Sequence, residues 1–354
     1  MPTPVSLYDY ALPAERIAQS PVEPRDSSRL LALDRKTGKT EHKVFRDIVD
    51  ELKAGDLLVM NDSKVFKARL RGKRFKKEYE VFLLRPVPHE FVMEGASLWH
   101  ALVRPGKLVH VGNDIEISGL KPKVVEKKPD GSVVLAFPIP ESEVFAFCDQ
   151  FGEVPVPPYV EKAPEDASKY QTVYAKETGS VAAPTAGFHF TPEIIEKLKG
   201  KGVEFQFVTL HVGLGTFRPV KAETLEEHVM HSEYVTISSE TAQAINKAKA
   251  EGRRVIAVGT TTVRALEGVA STQPPAPSPQ LPTNGYSGDV NMFITPGFDF
   301  KVIDALITNF HLPKSTLLVL VSAFAGREHV LAAYKEAIEK EYRFYSFGDA
   351  MFIR

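Results

Sequence analysis

The stretch Arg254-Val-Ile-Ala-Val-Gly-Thr-Thr-Thr-Val-Arg264 decides the fold class. Its first half, Arg254 to Val258, is an apolar run of strand length, and Gly259 to Thr262 add a glycine and three hydroxyl residues before a short helix. A strand that passes through such a turn into a helix is a building unit of α/β proteins. The free N–H groups of a helix start can hold a carboxylate or a phosphate, although an ordinary helix cap has the same composition.

Helix and strand signals alternate from Thr191 to the end of the chain. Thr191 followed by Pro192 is typical of a helix start, and the strand-like run Glu204 to Leu210 follows that helix. A serine at 238 or 239 then caps a helix that leads into the opening stretch. Later signals are strand-like runs at Met292 to Thr295 and Val302 to Thr308 and helices at roughly Ser315 to Ala325 and Glu328 to Lys340. This alternation predicts an α/β body.

A different pattern lies between about Phe66 and Glu153. Short β-like runs separated by Gly, Pro and Asn turns occur at Glu80 to Leu84, Leu98 to Val103, Asp114 to Ile117 and Val133 to Phe137. We therefore predict a discontinuous α/β domain, 1–65 plus 154–354, with a small antiparallel β domain inserted at 66–153. Five prolines between Ser271 and Pro282 predict a mobile loop, 271–287, within the α/β domain.

Composition limits the class of protein. The chain has 354 residues, 43% of them hydrophobic and 25% charged, which suits about two globular domains. The start, Met1 to Ala18, shows no secretory signal, and the apolar stretch Thr316 to Gly326 is too short to cross a bilayer. A single cysteine, Cys148, excludes an intrachain disulfide and a multi-cysteine metal cluster. We expect a cytoplasmic protein without membrane attachment.

The charge is balanced overall but uneven along the chain. Forty-four Lys and Arg against 45 Asp and Glu give a net charge of −1, so a polyanionic partner must meet a local patch. Lys67 to Lys77, KARLRGKRFKK, holds seven basic residues and no acidic one. It is a candidate phosphate-contacting surface, and a solvated basic strand edge is the alternative. The candidate nucleic-acid-binding residues are Arg69, Arg71, Lys73, Arg74, Lys76 and Lys77.

Polar clusters fall at strand ends and in glycine-containing loops. They are 184–190, 211–217, 228–233, 259–264 and 308–313. Ligands of open α/β proteins bind beyond the carboxyl ends of strands, so we expect a site there. Five of the ten histidines lie in these clusters, and histidine suits proton transfer near neutral pH, although any one of them could be a hydrogen-bonded structural residue. His228 and His231 could also share a metal, but no third ligand follows at an informative spacing.

Seven blocks of the sequence, in this order, resemble the S-adenosylmethionine:tRNA ribosyltransferase-isomerase family of the queuosine pathway. The blocks are Tyr8–Pro13, Pro24–Leu30, Val181–Phe190, Thr209–Phe217, Met230–Glu233, Leu306–Thr316 and Tyr342–Met351. They span nearly the whole chain, which makes the resemblance specific. Val290 and Thr295 depart from the family pattern, which has threonine and tyrosine there, so the resemblance carries no site role over to them.

The resemblance implies a reaction and a fold. The ribosyl part of S-adenosylmethionine is transferred to 7-aminomethyl-7-deazaguanine at the wobble position of tRNA and isomerised to an epoxycyclopentane, and adenine and methionine leave. The resemblance implies S-adenosylmethionine as co-substrate, no permanently bound cofactor and no metal. It also implies that the inserted β domain is a barrel. We further expect a monomer.

Each cluster then receives an expected role. A base removes a proton at C5′, which the adjacent sulfonium acidifies, and an acid assists the departure of adenine. The catalytic candidates are His189, His211, His231 and Glu233. The substrate-binding candidates are Arg25, Arg29, Thr185, Gly187, Gly213, Gly215, Gly259, Thr260, Thr261, Arg264, Asn309 and His311. Of these, Gly259 to Thr262 and Arg264 are expected to hold the methionine carboxylate or a phosphate.

Three other functions compete with this interpretation. An S-adenosylmethionine-dependent RNA methyltransferase would release S-adenosylhomocysteine instead of adenine. A non-catalytic tRNA-binding module would consume no co-substrate. A metal hydrolase would retain a metal, which metal analysis detects.

Overall fold

The computed structural model describes residues 2–87, 95–161, 166–213, 220, 222–230, 232–274 and 280–354. The chain forms two compact units. Unit 1 comprises Met1–Ser63, Pro158–Glu177 and Ala183–Arg354, and unit 2 comprises Lys64–Pro157 and Thr178–Ala182. Helices and large sheets occur together, which confirms the mixed α/β class predicted from the sequence.

Sixteen strands lie within the described residues. They are β1 Arg29–Leu33, β2 Thr40–Val44, β3 Leu57–Asn61, β4 Ser63–Val65, β5 Arg69–Arg74, β6 Lys77–Pro86, β7 Ser97–Arg104, β8 Lys123–Lys127, β9 Val133–Phe137, β10 Glu177–Ser180, β11 Glu204–Leu210, β12 Glu233–Ile237, β13 Val255–Val258, β14 Tyr286–Val290, β15 Ala305–Asn309 and β16 Ala350–Ile353. They form sheets of nine, five and two strands, the smallest made by β4 and β10.

The described residues also form seven α-helices. They are α1 Ile48–Glu51, α2 Glu141–Phe151, α3 Pro192–Gly200, α4 Ser239–Ala250, α5 Thr260–Ser271, α6 Thr316–Ala325 and α7 Arg327–Glu339. The predicted caps are confirmed: the Thr191 hydroxyl accepts the Ile194 N–H, and the Ser238 hydroxyl accepts the Thr241 N–H. Each cap satisfies an N–H group that has no acceptor within its own helix.

The nine-stranded sheet of unit 1 has the order β14-β12-β11-β3-β13-β15-β16-β1-β2. Its centre consists of four adjacent parallel strands, because β3 pairs in parallel with β11 and β13, and β13 pairs in parallel with β15. Every residue of β3, β13 and β15 is buried, as expected of parallel strands covered on both faces. The carboxyl ends of the four strands therefore meet at one edge of the sheet.

The predicted strand from Val302 to Thr308 begins later in the structure, at Ala305. The buried carboxylate of Glu267, on α5, accepts the N–H groups of residues 301, 302 and 303 at 2.9 to 3.0 Å. Those N–H groups are therefore unavailable for a strand ladder. The predicted strand at Met292 to Thr295 is wrong, since β14 ends at Val290 and no strand follows it until Ala305.

Unit 2 contains the five-stranded antiparallel sheet, in the order β5-β6-β7-β9-β8. Trp99 packs edge-on against Phe145, and Phe66 packs against both. Among the described residues no ladder joins β5 to β8, so the closed barrel that the resemblance implies is not shown. The predicted run Asp114 to Ile117 makes single bridges to Lys73 and Lys123 instead of a strand.

The predicted loop at 271–287 begins with the last residue of α5 and ends inside β14. Residues 275–279, which include three of its prolines at 275, 277 and 279, lie outside the described residues. Leu281 is buried, and the Asn246 side chain binds both its N–H and its carbonyl, each at 2.8 Å. The second half of the loop thus lies against α4.

Helices α6 and α7 close the chain, and α6 is largely buried. In the described part of the chain no single helix is long and apolar enough to cross a bilayer. Helices α6 and α7 reach that length and composition only together, and they are bent by 114° relative to each other. Gly326, which ends α6 and precedes α7, takes a φ of 84° at this bend.

Replacing Glu267 by glutamine should destabilise the protein by about 2 kcal/mol, because an amide NH₂ cannot accept the N–H groups that the carboxylate now binds. Glu339, an exposed glutamate on α7, provides the matched control, and Glu339→Gln should change the free energy of unfolding by less than about 0.5 kcal/mol. Urea unfolding measures both. Equal effects would show that the carboxylate does not hold residues 301–303.

Candidate active site

A cavity opens in unit 1 at the edge where the parallel strands end. It encloses about 640 Å³ of empty space, counting its mouth to solvent. Its walls come from the segments that follow β13 and β15, from the 3₁₀ helix Thr185–His189, and from residues 159, 212, 345 and 346. The polar residues among them are Tyr159, Thr185, Thr260, Thr261, Thr308, Asn309, His311, Ser315, Tyr345 and Ser346.

The start of α5 forms one wall of this cavity. Gly259 precedes the helix with a φ of 89°, a conformation that favours glycine, and it offers no side chain to cap the helix. The first N–H groups of an α-helix have no acceptor within the helix. Thr260 and Thr261, the first two residues of α5, line the cavity. This wall is suited to a carboxylate or a phosphate.

Asn309, at the end of β15, connects the cavity to His189. Its Nδ2 donates to the Tyr345 carbonyl and lies against His189 Nε2, both at 3.2 Å. A carbonyl only accepts, so the amide nitrogen faces both partners and Nε2 must be the unprotonated nitrogen. Nδ1–H of His189 then donates to the Ser28 hydroxyl at 2.7 Å. The imidazole is held as one neutral tautomer.

Two histidines of the predicted site, the buried His189 and the half-buried His311, are neutral. Burial, together with the positive charges of Arg25 and Arg343, lowers the pKa of His189 to about 3. Burial likewise lowers the pKa of His311 to about 3. His311 lines the cavity and lies 2.9 Å from the Thr308 hydroxyl, whereas His189 lies behind Asn309 and packs on the Phe45 ring. Neither side chain is a cation at neutral pH.

Aromatic residues form a second wall that the site prediction omitted. The rings of Tyr159 and Tyr345 lie 4.8 Å apart, and the Tyr159 hydroxyl lies 2.7 Å from the Ser346 hydroxyl. Burial raises the pKa of Tyr159 to about 12, so its hydroxyl stays protonated. The aromatic run 342–347 was a signal for Tyr345, but nothing in the sequence singled out Tyr159.

Asn61, at the carboxyl end of β3, is a further residue that sequence reasoning missed. Its amide oxygen accepts the Leu210 N–H at 3.1 Å, and its Nδ2 donates to the Leu210 carbonyl at 3.0 Å. Nδ2 also lies 3.5 Å from the Thr261 hydroxyl. One amide thus connects β3, β11 and the start of α5. The available signal was an asparagine directly after the buried run 57–60.

Arg264 and Glu233 form an ion pair with each other. The guanidinium lies 2.5 Å from the carboxylate, and both side chains are almost completely buried. In the described residues neither lines the cavity. The ion pair therefore joins α5 to β12, and the guanidinium is directed to Glu233 and not to the described cavity wall.

Arg25 and Arg29, two predicted substrate-binding residues, both donate hydrogen bonds to backbone carbonyls. Arg25 donates to the carbonyls of residues 169 and 171, each at 2.8 Å, and its guanidinium lies over the Phe188 ring. Arg29 donates to the carbonyl of residue 340 and lies 3.7 Å from the centre of the Tyr342 ring. These contacts hold segments of unit 1 together.

The remaining predicted site residues are three glycines and two histidines. A Cβ on Gly187 would lie 1.9 Å from the Tyr174 hydroxyl, so only glycine permits this approach. His211 follows β11, burial lowers its pKa, and its Nδ1 has no partner among the described residues. For Gly213, no atom of the described residues lies within 4 Å of the position that a Cβ would take. Gly215 and His231 lie outside the described residues.

The basic residues of unit 2 divide into two groups. Arg69 and Arg71 lie within 4 Å of the Glu80 carboxylate, and Arg71 also binds Glu153 at 3.2 Å. The other four are near the turn between β5 and β6, and the described residues offer them no ion pair. These four are Lys73, Arg74, Lys76 and Lys77.

The described residues contain no group of three or more His, Cys, Asp or Glu side chains that could hold a metal. His228, one half of the histidine pair considered for a metal, packs edge-on against the Phe293 ring at 5.2 Å. Val290, which departs from the family pattern, is buried against Gly268.

Replacing Glu233 by glutamine should cost about 3 kcal/mol of stability, because it leaves a buried guanidinium without its counter-charge. The exposed pair Arg16–Glu341 has the same 2.5 Å separation and supplies the control. Glu341→Gln should cost less than about 1 kcal/mol. The double variant Glu233→Leu with Arg264→Met should recover part of the loss in urea unfolding. A cost no larger than that of the control would contradict a buried structural pair.

The neutral state of His189 predicts a pH dependence of stability. The unfolded chain protonates this histidine near pH 6.5, whereas the folded chain resists protonation down to about pH 3. Stability should therefore fall as the pH is lowered through this window, by about 2 kcal/mol between pH 6.5 and 5 from this residue alone. His189→Gln should show a correspondingly flatter decline in urea unfolding at several pH values. Parallel curves would mean that the pKa of His189 is the same in the folded and the unfolded chain.

Comparison with known proteins agrees with the sequence blocks. A family profile described as queuosine biosynthesis protein matches residues 5–353. Proteins named S-adenosylmethionine:tRNA ribosyltransferase-isomerase are similar: that of Heliobacterium modesticaldum is 51% identical over 99% of both chains, and that of Desulfitobacterium hafniense is 48% identical over 98% of both. A crystal structure of S-adenosylmethionine tRNA ribosyltransferase from Thermotoga maritima is 40% identical, with a TM-score of 0.56 and coverage of 98% of this chain and 100% of that one. The chain therefore belongs to the queuosine biosynthesis protein family.

Proposed function

We propose that this chain transfers the ribosyl group of S-adenosylmethionine to 7-aminomethyl-7-deazaguanine at the wobble position of tRNA and isomerises it, which leaves epoxyqueuosine and releases adenine and methionine. The observation that carries the proposal is the match to enzymes of this name along the full chain. The cavity in unit 1 supports it, because it combines an anion-binding helix start with an aromatic wall.

S-adenosylmethionine is a zwitterion with an added sulfonium, and the cavity offers groups for both signs of charge. In our proposal the methionine carboxylate lies at the start of α5, against the N–H groups and hydroxyls of Thr260 and Thr261. The faces of Tyr159 and Tyr345 attract the sulfonium. Arg264 acts indirectly, because its ion pair with Glu233 fixes the helix.

The histidines take different roles in this proposal. His211 acts as the base that removes the C5′ proton, since it directly precedes Val212, which lines the cavity, and its lowered pKa keeps it unprotonated at neutral pH. His189 is a positioning residue, because it holds Asn309 and does not line the cavity. His311 and Thr185 contribute polar surface to the bound substrate.

In this proposal the inserted domain is 66–153, a range that falls within unit 2. Single bridges from 114 and 116 to Lys123 and Lys73 support its closure into a small barrel, because they join segment 114–116 to both edge strands. Its basic residues contact tRNA phosphates in this proposal. The proposal further takes the protein to be a cytoplasmic monomer without membrane attachment, bound metal or permanent cofactor.

Incubation with S-adenosylmethionine and tRNA that carries the aminomethyl-deazaguanine base should release adenine and methionine, which chromatography detects. Release of S-adenosylhomocysteine would identify a methyltransferase instead. If no co-substrate is consumed, the proposed reaction is excluded.

The variant Gly259→Ala should lower kcat/KM for S-adenosylmethionine about tenfold, because an alanine at this φ shifts the N–H groups of α5. Gly252 also has a positive φ, of 66°, but it precedes β13 and lies at the opposite edge of the sheet. Gly252→Ala is therefore the control for backbone strain, and it should leave kcat/KM nearly unchanged. Equal losses would remove α5 from the proposed substrate site.

A further inference from the structure

The turn between β5 and β6 presents an aromatic ring to solvent. Arg74 pairs with Lys77 in the ladder, so Phe75 and Lys76 form a two-residue turn. The Phe75 side chain is 89% exposed, more than any other large hydrophobic residue of the described chain. Its φ is 55°, in the left-handed region.

Neither property of Phe75 stabilises the fold. Two-residue hairpin turns favour Asn, Asp or Gly, which adopt a positive φ with little strain. A phenylalanine at such a position is strained, and an exposed ring adds no buried area. A polar residue or a glycine would serve the turn better, so the ring requires an explanation outside the folded chain.

Positive charge surrounds this ring. Lys73, Arg74, Lys76 and Lys77 flank it, and the Arg74 guanidinium lies 4.8 Å from the centre of the ring. The acidic side chain nearest in the ladder is Glu78, which is opposite Lys73. No described carboxylate lies within ion-pair distance of the four cations. An exposed ring between unpaired cations complements a nucleotide, whose phosphate is an anion and whose base has an apolar face.

We propose that the Phe75 turn is an RNA-binding subsite, in which the Phe75 ring stacks on an unpaired base of the tRNA while Lys73, Arg74, Lys76 and Lys77 contact neighbouring phosphates. This inference rests on the proposed function, because it assigns a position-specific contact to the same tRNA substrate. The ring supplies what phosphate contacts cannot, namely an interaction that requires an unstacked base. Arg74 orients the ring through its cation–π contact.

Phe75→Gly separates binding from folding, because the two should change in opposite directions. The glycine relieves the strained φ, so the variant should unfold at the same or a higher temperature. Its KM for tRNA in the adenine-release assay should rise about tenfold, with kcat and the KM for S-adenosylmethionine unchanged. Val111→Ala, which removes an apolar side chain that is 61% exposed in the same unit, should leave all three constants unchanged.

Phe75→Trp tests stacking directly. The native chain has one tryptophan, Trp99, which is completely buried, so the introduced indole reports separately on the turn. Its fluorescence should be quenched by an anticodon stem-loop, and the KM for tRNA should stay within about twofold of the wild-type value. An unquenched indole together with an unchanged KM in Phe75→Gly would overturn the inference. If the wild-type protein released no adenine, the proposed function would fail instead.

Salt dependence distinguishes the ring from the cations. The double variant Lys73→Ala with Lys77→Ala should make the slope of log affinity against log salt for the stem-loop shallower, by the amount expected for the loss of about two phosphate contacts. Phe75→Gly should leave this slope unchanged. An aromatic residue among lysines also suits an anionic lipid surface. Sedimentation with phosphatidylserine vesicles that depends on Phe75, without any change in the KM for tRNA, would replace RNA by a membrane as the partner.

Discussion

The backbone hydrogen bonds that hold β3 between β11 and β13 are the constraint on which the site depends. Parallel pairing on both sides of β3, continued from β13 to β15, sends four consecutive strands of the sheet to the same edge. Residues from distant parts of the chain, such as Asn61, Thr261 and Asn309, can then line or support one cavity. A shift of β3 or β15 by a single residue would turn Asn61 or Asn309, respectively, to the opposite face of the sheet.

Buried polar groups keep that edge in place. The Asn61 amide binds the backbone of Leu210, and the Glu267 carboxylate binds three successive N–H groups ahead of β15. Such contacts add little when they are made, but they are costly to leave unmade in a dry interior. They therefore define one arrangement of strands and helix starts, and the apolar core around them supplies most of the stability.

Burial also determines the chemistry available to the histidines. In water an imidazole is partly protonated near neutral pH, but desolvation lowers the pKa of His189 and His311 far below that range. These residues can orient amides and hydroxyls but cannot serve as cations. Positive charge for an anionic substrate must come from elsewhere, and in the proposed site the backbone N–H groups at the start of α5 supply it.

The sequence by itself determined the α/β class, the helix caps at Thr191 and Ser238, the run into the glycine before α5, and the family resemblance. These features depend on local spacing and on residue type, which a sequence displays directly. It did not show that Arg264 forms an ion pair with Glu233 or that Asn61 and Tyr159 lie at the site. Nor did it show that Glu267 binds the N–H groups ahead of β15, so that the strand begins at Ala305. Each of those depends on which distant segments meet, and only the tertiary structure decides that, because burial and pairing between remote residues leave no periodic pattern along the chain.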